Sequence, residues 1–384
     1  MNSIALKMLI GDTTKYVSLI IGITFAALIM TQQPSIFWGL MTRTYGFIDD
    51  IGYPDLWVVD PEARYIDDVK PMSDTMLQRV RSIEGVRWAT PLFKGSTEVL
   101  LSDGSFENST LVGIDSTTMI GAPPKLLSGQ LTDLRMADAV IVNEEGAKER
   151  LARQMPDGNK IPLQVGDTLE INEKRAVVVG VAQTSRSFQS RPVLYTTYER
   201  AVNYVPQQRR LLTFVLAKVK DGENIDLVAK RISDQTGMKA VTSQQFKDMT
   251  FNHYMKRTGI PINFGVAVLL GFVIGAVVTG QTFYAFTHEN LKQYAALKAM
   301  GARAGTLMRM IVLQAISVGV MGWCLGVGCA ALFGYSMRKS ILAFKMSPEL
   351  FLFSGFVTLI IVSIAALISI VKVIRVEPAL VFKG

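Results

Sequence analysis

The chain has little that would carry chemistry of its own. Its 384 residues include only two cysteines, Cys324 and Cys329, and only two histidines, His253 and His288. Two cysteines make no disulfide scaffold. Five positions apart on a helix they point in clearly different directions, which suits packing better than a shared metal, and no other metal set stands out. No Gly-x-x-x-x-Gly-Lys-Ser/Thr phosphate loop occurs, so ATP and Mg are expected on a partner chain and no cofactor on this one. Charge is scarce too. Asp, Glu, Lys and Arg make up 19% of the chain, against about 25% in ordinary soluble proteins. With 49% hydrophobic residues and a mean hydropathy of +0.29, this excludes disorder and fibrous repeats.

What charge there is lies unevenly. Between Arg43 and Arg257 fall 28 of the 40 basic and 28 of the 32 acidic residues, leaving that 215-residue block neutral. The net charge of +8 therefore comes from residues flanking apolar segments. A nucleic-acid binder would carry its basic surplus on the folded block, so no nucleic-acid partner is expected. A surplus beside apolar segments suits a membrane surface.

Four stretches lack any Asp, Glu, Lys or Arg: Tyr16 to Thr42, Thr258 to His288, Met310 to Met337 and Leu350 to Val371. The shortest gives a helix of roughly 33 Å, enough for a hydrocarbon core of about 30 Å. They are too long and apolar for barrel strands. The first is too long for the apolar part of a signal peptide and lacks a small-x-small cleavage site, so it reads as an uncleaved anchor. The expected order is an amphipathic elbow helix over 1–15, spans over 16–42, 258–287, 306–337 and 350–373, and a large domain over 43–257. An inner loop over 288–305, a short outer loop over 338–349 and a tail over 374–384 complete it. With the N-terminus inside, nine Lys and Arg flank the inner ends (Lys7, Lys15, Lys292, Lys298, Arg303, Arg309, Lys372, Arg375 and Lys383) against six outside. This bias places both termini in the cytoplasm and the 43–257 block outside.

The block reads as α+β. Strands are expected at Asp55 to Asp60, Thr97 to Leu101, Ala139 to Val142, Thr168 to Ile171, Ala176 to Val181 and Leu212 to Val219. Helices are expected over Ser73–Ile83 capped by Ser73, over Asn143–Arg153 capped by Asn143, and over Asn224–Gln235. Two β-α-β units, one starting near Asp55 and one ending near Thr242, would form one lobe, with 112–210 inserted as a second. No catalytic constellation appears. His253 has no partner pattern, and Glu144 and Glu145 suit the first turn of a helix, where carboxylates favour the dipole.

The third span carries small residues every four positions, Gly322, Gly326, Ala330 and Gly334, and the second carries Gly271 and Gly275. Such stripes let helix backbones approach closely. Near the outer end of the first span, Gln32, Gln33, Phe37 and Trp38 read either as an interfacial belt or as the lining of a substrate entrance.

Between the second and third spans lies a short helix-forming run, His288 to Arg303, with Gly301 placed to end it in a left-handed cap. Such a helix suits docking into a partner's groove. Here the chain resembles a known family. Tyr294-Ala-Ala-Leu-Lys-Ala-Met-Gly301 is similar to the coupling-helix signature of the ABC permeases typified by MacB, FtsX and LolC/LolE. It is closest to the DevC branch, whose ATPase is a separate chain. Arg375-Val-Glu-Pro-Ala-Leu-Val-Phe382 resembles that family's closing motif. Leu127-Ser-Gly129, Ala139 to Asn143, Val165-Gly-Asp167 and Val177 to Val181 follow the family's order.

The resemblance implies a non-catalytic, dimeric inner-membrane permease working with an ABC ATPase. Its contacts to that ATPase would come from Glu289, Leu291, Lys292, Gln293, Tyr294, Leu297, Lys298, Met300 and Gly301. Gln293 stands where many members have an acid, and Glu289 is the candidate substitute. The exterior lobes would correspond to the family's Porter and Sabre subdomains. A periplasmic adaptor and a TolC-like outer-membrane channel would complete a tripartite efflux route. The alternatives are a haem-exporting or lipoprotein-extracting permease without adaptor, and an FtsX-like signalling permease regulating cell-wall hydrolases. Chains of the last kind usually carry a smaller exterior loop.

Overall fold

A computed structural model describes residues 2–155, 159–206, 212–337 and 342–375. The chain divides into a helical unit, Met1–Leu40 with Gly259–Gly384, and an α+β unit, Met41–Thr258.

The helical unit begins with α1 (Asn2–Gly11), which breaks at Asp12 before α2 (Thr13–Ile51). Among the described residues, four helices are long and apolar enough to cross a membrane: α2, and later α7 (Ile260–Glu289), α9 (Ala304–Ser336) and α10 (Pro348–Ile374). The glycine stripes of α7 and α9 both face α2. A Cβ on Gly271 would meet Ile29 and Met30, and one on Gly275 would meet Ala26. A Cβ on Gly322 would lie 2.6 Å from Ile23 Cβ, and one on Gly326 would lie 2.7 Å from the Thr24 carbonyl oxygen. Backbone approach of this kind is what small residues permit in helix packing. Ala330 is buried and Gly334 lies under the Phe344 ring. Cys324 and Cys329 are both free and exposed.

In the α+β unit the strands are β1 (Leu56–Val59), β2 (Val86–Leu100), β3 (Phe106–Ile114), β4 (Lys125–Gly129), β5 (Ala139–Asn143), β6 (Arg153–Gln154), β7 (Lys160–Ile161), β8 (Thr168–Ile171), β9 (Lys174–Gln183), β10 (Val193–Thr197), β11 (Phe214–Val219) and β12 (Lys239–Thr242). Its helices are α3 (Thr75–Arg81), α4 (Tyr198–Tyr204), α5 (Ile225–Thr236) and α6 (Ser243–Arg257). All strands but β6 and β7 join one sheet in the order β12-β1-β11-β2-β3-β10-β5-β9-β4, with β8 bridging β2 and β9. The β3–β10 and β5–β9 pairs are parallel and the others antiparallel.

β2 holds the sheet together. It pairs with β11 from Val86 to Leu92 and with β3, on its other edge, from Phe93 to Leu100. The strand expected at Thr97 to Leu101 is thus the end of one 15 residues long. Residue 112, expected to open a second lobe, lies inside β3 opposite Lys94, in an unbroken ladder. Trp57 is fully buried against Phe214 and Phe246, at centroid distances of 5.7 and 5.5 Å.

Two helix expectations are corrected. The first helix starts at Thr75, and Asp74 occupies the cap position in place of Ser73. The second is short, because Asn143 ends β5 and only Glu144 and Glu145 precede a π-turn over Gly146–Arg150. Asn143 Oδ1 still accepts from Gly146 N, at 3.2 Å, but it also accepts from Val193 N at 2.8 Å, which ties it to β10. Glu144 pairs with Lys148 at 2.6 Å, and Glu145 pairs with Arg186. α5 matches its expectation: Asn224 accepts from Asp226 N and Leu227 N, and Gly237 closes the helix at φ +73°.

Candidate coupling site

The segment between the second and third apolar helices folds as α8 (Leu291–Ala299), nine residues fixed at both ends. At its start, Asn290 donates from Nδ2 to the Phe286 carbonyl at 2.8 Å, and its own carbonyl accepts from Gln293 N and Tyr294 N. At its end Gly301 adopts φ +94°. Gly301 N donates to the Lys298 carbonyl at 3.1 Å and Ala302 N to the Leu297 carbonyl at 3.0 Å. That pair of bonds is a Schellman motif, and the positive φ makes glycine the fitting residue. A helix this short is marginal alone, so its order comes from packing.

Helical periodicity divides α8 into two faces. Leu291, Tyr294 and Ala295 point inward, into a core with Phe283, Phe286, Leu307, Met310 and Ile311. The Tyr294 side chain is fully buried, and its phenol donates to Gln314 Oε1 at 2.9 Å. Gln314 Nε2 then donates to the Ala5 carbonyl at 2.8 Å, so one buried chain of hydrogen bonds joins α8, α9 and α1. Burial pushes the Tyr294 phenol up to about 12, which keeps it a neutral donor. Lys298 donates from Nζ to the Ile374 carbonyl at 3.1 Å, capping the end of α10.

The geometry divides the expected contact set. Leu291 and Tyr294 are buried, held inside by the helix's own period and, for Tyr294, by Gln314. Glu289 is exposed but forms an ion pair with Lys15. Lys15 also pairs with Asp12 at 3.1 Å, and its backbone and ammonium donors hold the Asp12 carboxyl below the usual carboxylate range. Leu297 is half-buried. The outward residues are Lys292, Gln293, Met300 (76% exposed) and Gly301. Lys7, Arg303 and Arg309 are exposed as well, which leaves this end of the helical unit basic.

Sequence reasoning missed Gln314, Ala5, Asp12 and Lys15. The signal for Gln314 was present: it is the only amide side chain between Met310 and Met337. A lone polar group in an apolar helix has to find a partner. Of the suggested entrance residues, Phe37 packs on Phe264 at 5.4 Å, Trp38 is 38% exposed, and Gln32 and Gln33 are half-buried. The closing motif at 375–382 lies beyond Arg375 outside the described residues.

Comparison with known proteins places this architecture. Residues 17–235 match the family described as MacB-like periplasmic core domain, and residues 265–378 match the FtsX-like permease C-terminal family. The chain belongs to the MacB/FtsX-type ABC permeases. An uncharacterized ABC transporter permease of Mycobacterium tuberculosis is 21% identical over 82% of this chain and 80% of its own length. A probable export ATP-binding/permease protein of Pseudomonas fluorescens is 22% identical over 79% of this chain, which spans about half (49%) of that relative. Among solved structures, the periplasmic region of MacB from Actinobacillus actinomycetemcomitans aligns with a TM-score of 0.38 at 18% identity, covering 52% of this chain and 94% of that one.

Proposed function

We propose that this permease is the non-catalytic membrane subunit of an ATP-driven exporter, and that a separate ABC ATPase docks on the outward face of α8. The observation that supports this reading most is the division of α8 into a locked inner face and a free outer one. Lys292, Gln293 and Met300 are presented by a helix whose ends and back are fixed, so a push on that face moves α1 and α9 with it. Pre-organisation of this kind lowers the ordering cost of docking. In this reading ATP and Mg are held by that ATPase.

In this reading the chain is a homodimer in the inner membrane of a bacterial cell, with both termini and α8 in the cytoplasm and the α+β unit in the periplasm. That unit passes the movement to a periplasmic adaptor and a TolC-like outer-membrane channel. This is the DevC-like arrangement, with its separate ATPase. Mild purification of the full chain from its own membranes, with co-purifying proteins identified by mass spectrometry, tests it. An ATPase with an adaptor supports the tripartite exporter. An ATPase alone favours haem export or lipoprotein extraction, a cell-wall hydrolase favours signalling, and absence of any ATPase overturns the reading.

A further inference from the structure

A cavity of about 520 Å³ lies wholly within the α+β unit, in a gap along one edge of β2. On that edge β11 stops at Leu92 and β8 takes over only at Val99. Side chains close the ends of the gap: Lys94 N donates to Thr213 Oγ1 at 2.9 Å, and Glu98 N donates to Asn172 Oδ1 at 3.3 Å. Backbone polar groups alternate between the two edges of a strand, so the N–H and C=O of Ser96, midway between, turn to this same edge. Ser96 is exposed and lines the cavity.

The walls around this strand edge have two characters. One is aromatic: Phe188 packs on Tyr254 at 4.8 Å, and Tyr254 on Tyr65 at 5.6 Å. The other is charged and nearly balanced. Buried Lys94 is paired with Asp67, and Asp68 with Arg64 at 2.8 Å. Arg191, the remaining cation of the lining, is half-buried and has no ion pair among the described residues. A cavity of this size that combines an aromatic wall with convergent polar groups can take a small amphipathic molecule.

We propose that this cavity binds a small amphipathic carboxylate that carries an amide beside its acid group and an aromatic or acyl body. The amide pairs with the Ser96 strand edge, as a short piece of added strand would. The carboxylate meets Arg191, whose planar guanidinium suits it in a bidentate pair. The body lies on the Tyr65, Phe188 and Tyr254 rings. Acylated amino acids and the C-terminal residues of short peptides have this chemistry. Every lining residue belongs to the α+β unit, so binding here does not depend on how the membrane helices work.

The probes are N-acetyl-L-tryptophan and its uncharged carboxamide, equilibrated by dialysis with the full chain in lipid nanodiscs. The acid is expected to bind saturably and about tenfold or more tighter than the carboxamide. Arg191→Gln should abolish that preference while leaving the carboxamide's affinity unchanged, and Arg191→Lys should restore part of it. Phe188→Ala should weaken both ligands together, by about tenfold. Unchanged thermal melts of the three variants exclude misfolding, since Phe188 and Arg191 lie in a half-buried loop. Equal binding of the two probes, no saturable binding up to about 5 mM, or an undiminished preference in Arg191→Gln would each overturn the proposal.

Discussion

The Tyr294 phenol donates to Gln314 Oε1 at 2.9 Å, so a residue of the short helix α8 is bonded to the middle of a buried face of α9. Tyr294→Phe removes the donor and leaves a buried amide oxygen unpaired, at a cost of about 1–3 kcal/mol. A lower melting temperature is expected for the purified permease. Gln314→Leu, which also frees the Ala5 carbonyl, should lower it further. Equal stability of Tyr294→Phe and the unaltered chain would show that the bond contributes nothing.

Gly301→Val places a β-branched residue at φ +94°, which costs roughly 1–2 kcal/mol from the backbone alone. The Schellman bonds to Lys298 and Leu297 should be lost while the apolar spans still insert. Substrate-stimulated ATP hydrolysis in the reconstituted complex is therefore expected to fall, with normal membrane yield. Unchanged stimulation would remove Gly301 from the coupling site.

The glycines of α9 offer a paired test of its packing on α2. Gly326→Leu drives a side chain into the Thr24 carbonyl and Leu28 amide of α2, whereas nothing lies within 4 Å of a Cβ on Gly328. Overpacking of this kind costs about 1–3 kcal/mol or more, and here the obstacle is backbone. The first variant should accumulate poorly and the second normally, as read by membrane yield and size-exclusion profile.

His253 stacks on Tyr65 at 4.1 Å. Burial, then the charge of Arg64, moves its imidazole below the ordinary histidine range, against the opposing pull of Asp68; Arg257 adds to the depression. The unfolded chain therefore takes up this proton more readily than the folded one. Stability should be undiminished above the ordinary value of about 6.5 and fall as pH drops below it. His253→Gln should flatten the melting temperature between pH 7.5 and 5. Equal slopes in the two proteins would assign the pH dependence elsewhere.

The apolar helices could be read from the sequence because membrane spans are written in composition, and α7, α9 and α10 fall on the charge-free runs. α2 could not be read to its end. Arg43, Asp49 and Asp50 close the apolar run, yet the helix continues to Ile51 because Ile48 and Ile51 are buried in the core of the α+β unit. The first half of β2 could not be read either: it contains Pro91, a residue that ordinarily interrupts a strand, yet Pro91 pairs in register with Val215. α8 and its glycine cap are local and were legible. The inward turn of Tyr294 was not, since it is set by Gln314 twenty residues on and by Ala5 on α1.

The most direct test of the account uses a photo-reactive amino acid placed at Gln293 or Met300, on the outward face of α8, and in a third chain at Tyr294. The full chain is illuminated in its native membranes and the adducts are identified by mass spectrometry. An ABC ATPase captured from positions 293 and 300, and not from 294, is the predicted result. No ATPase adduct from either outward position, in membranes where such an ATPase is present, would contradict the assignment of α8 as the coupling site.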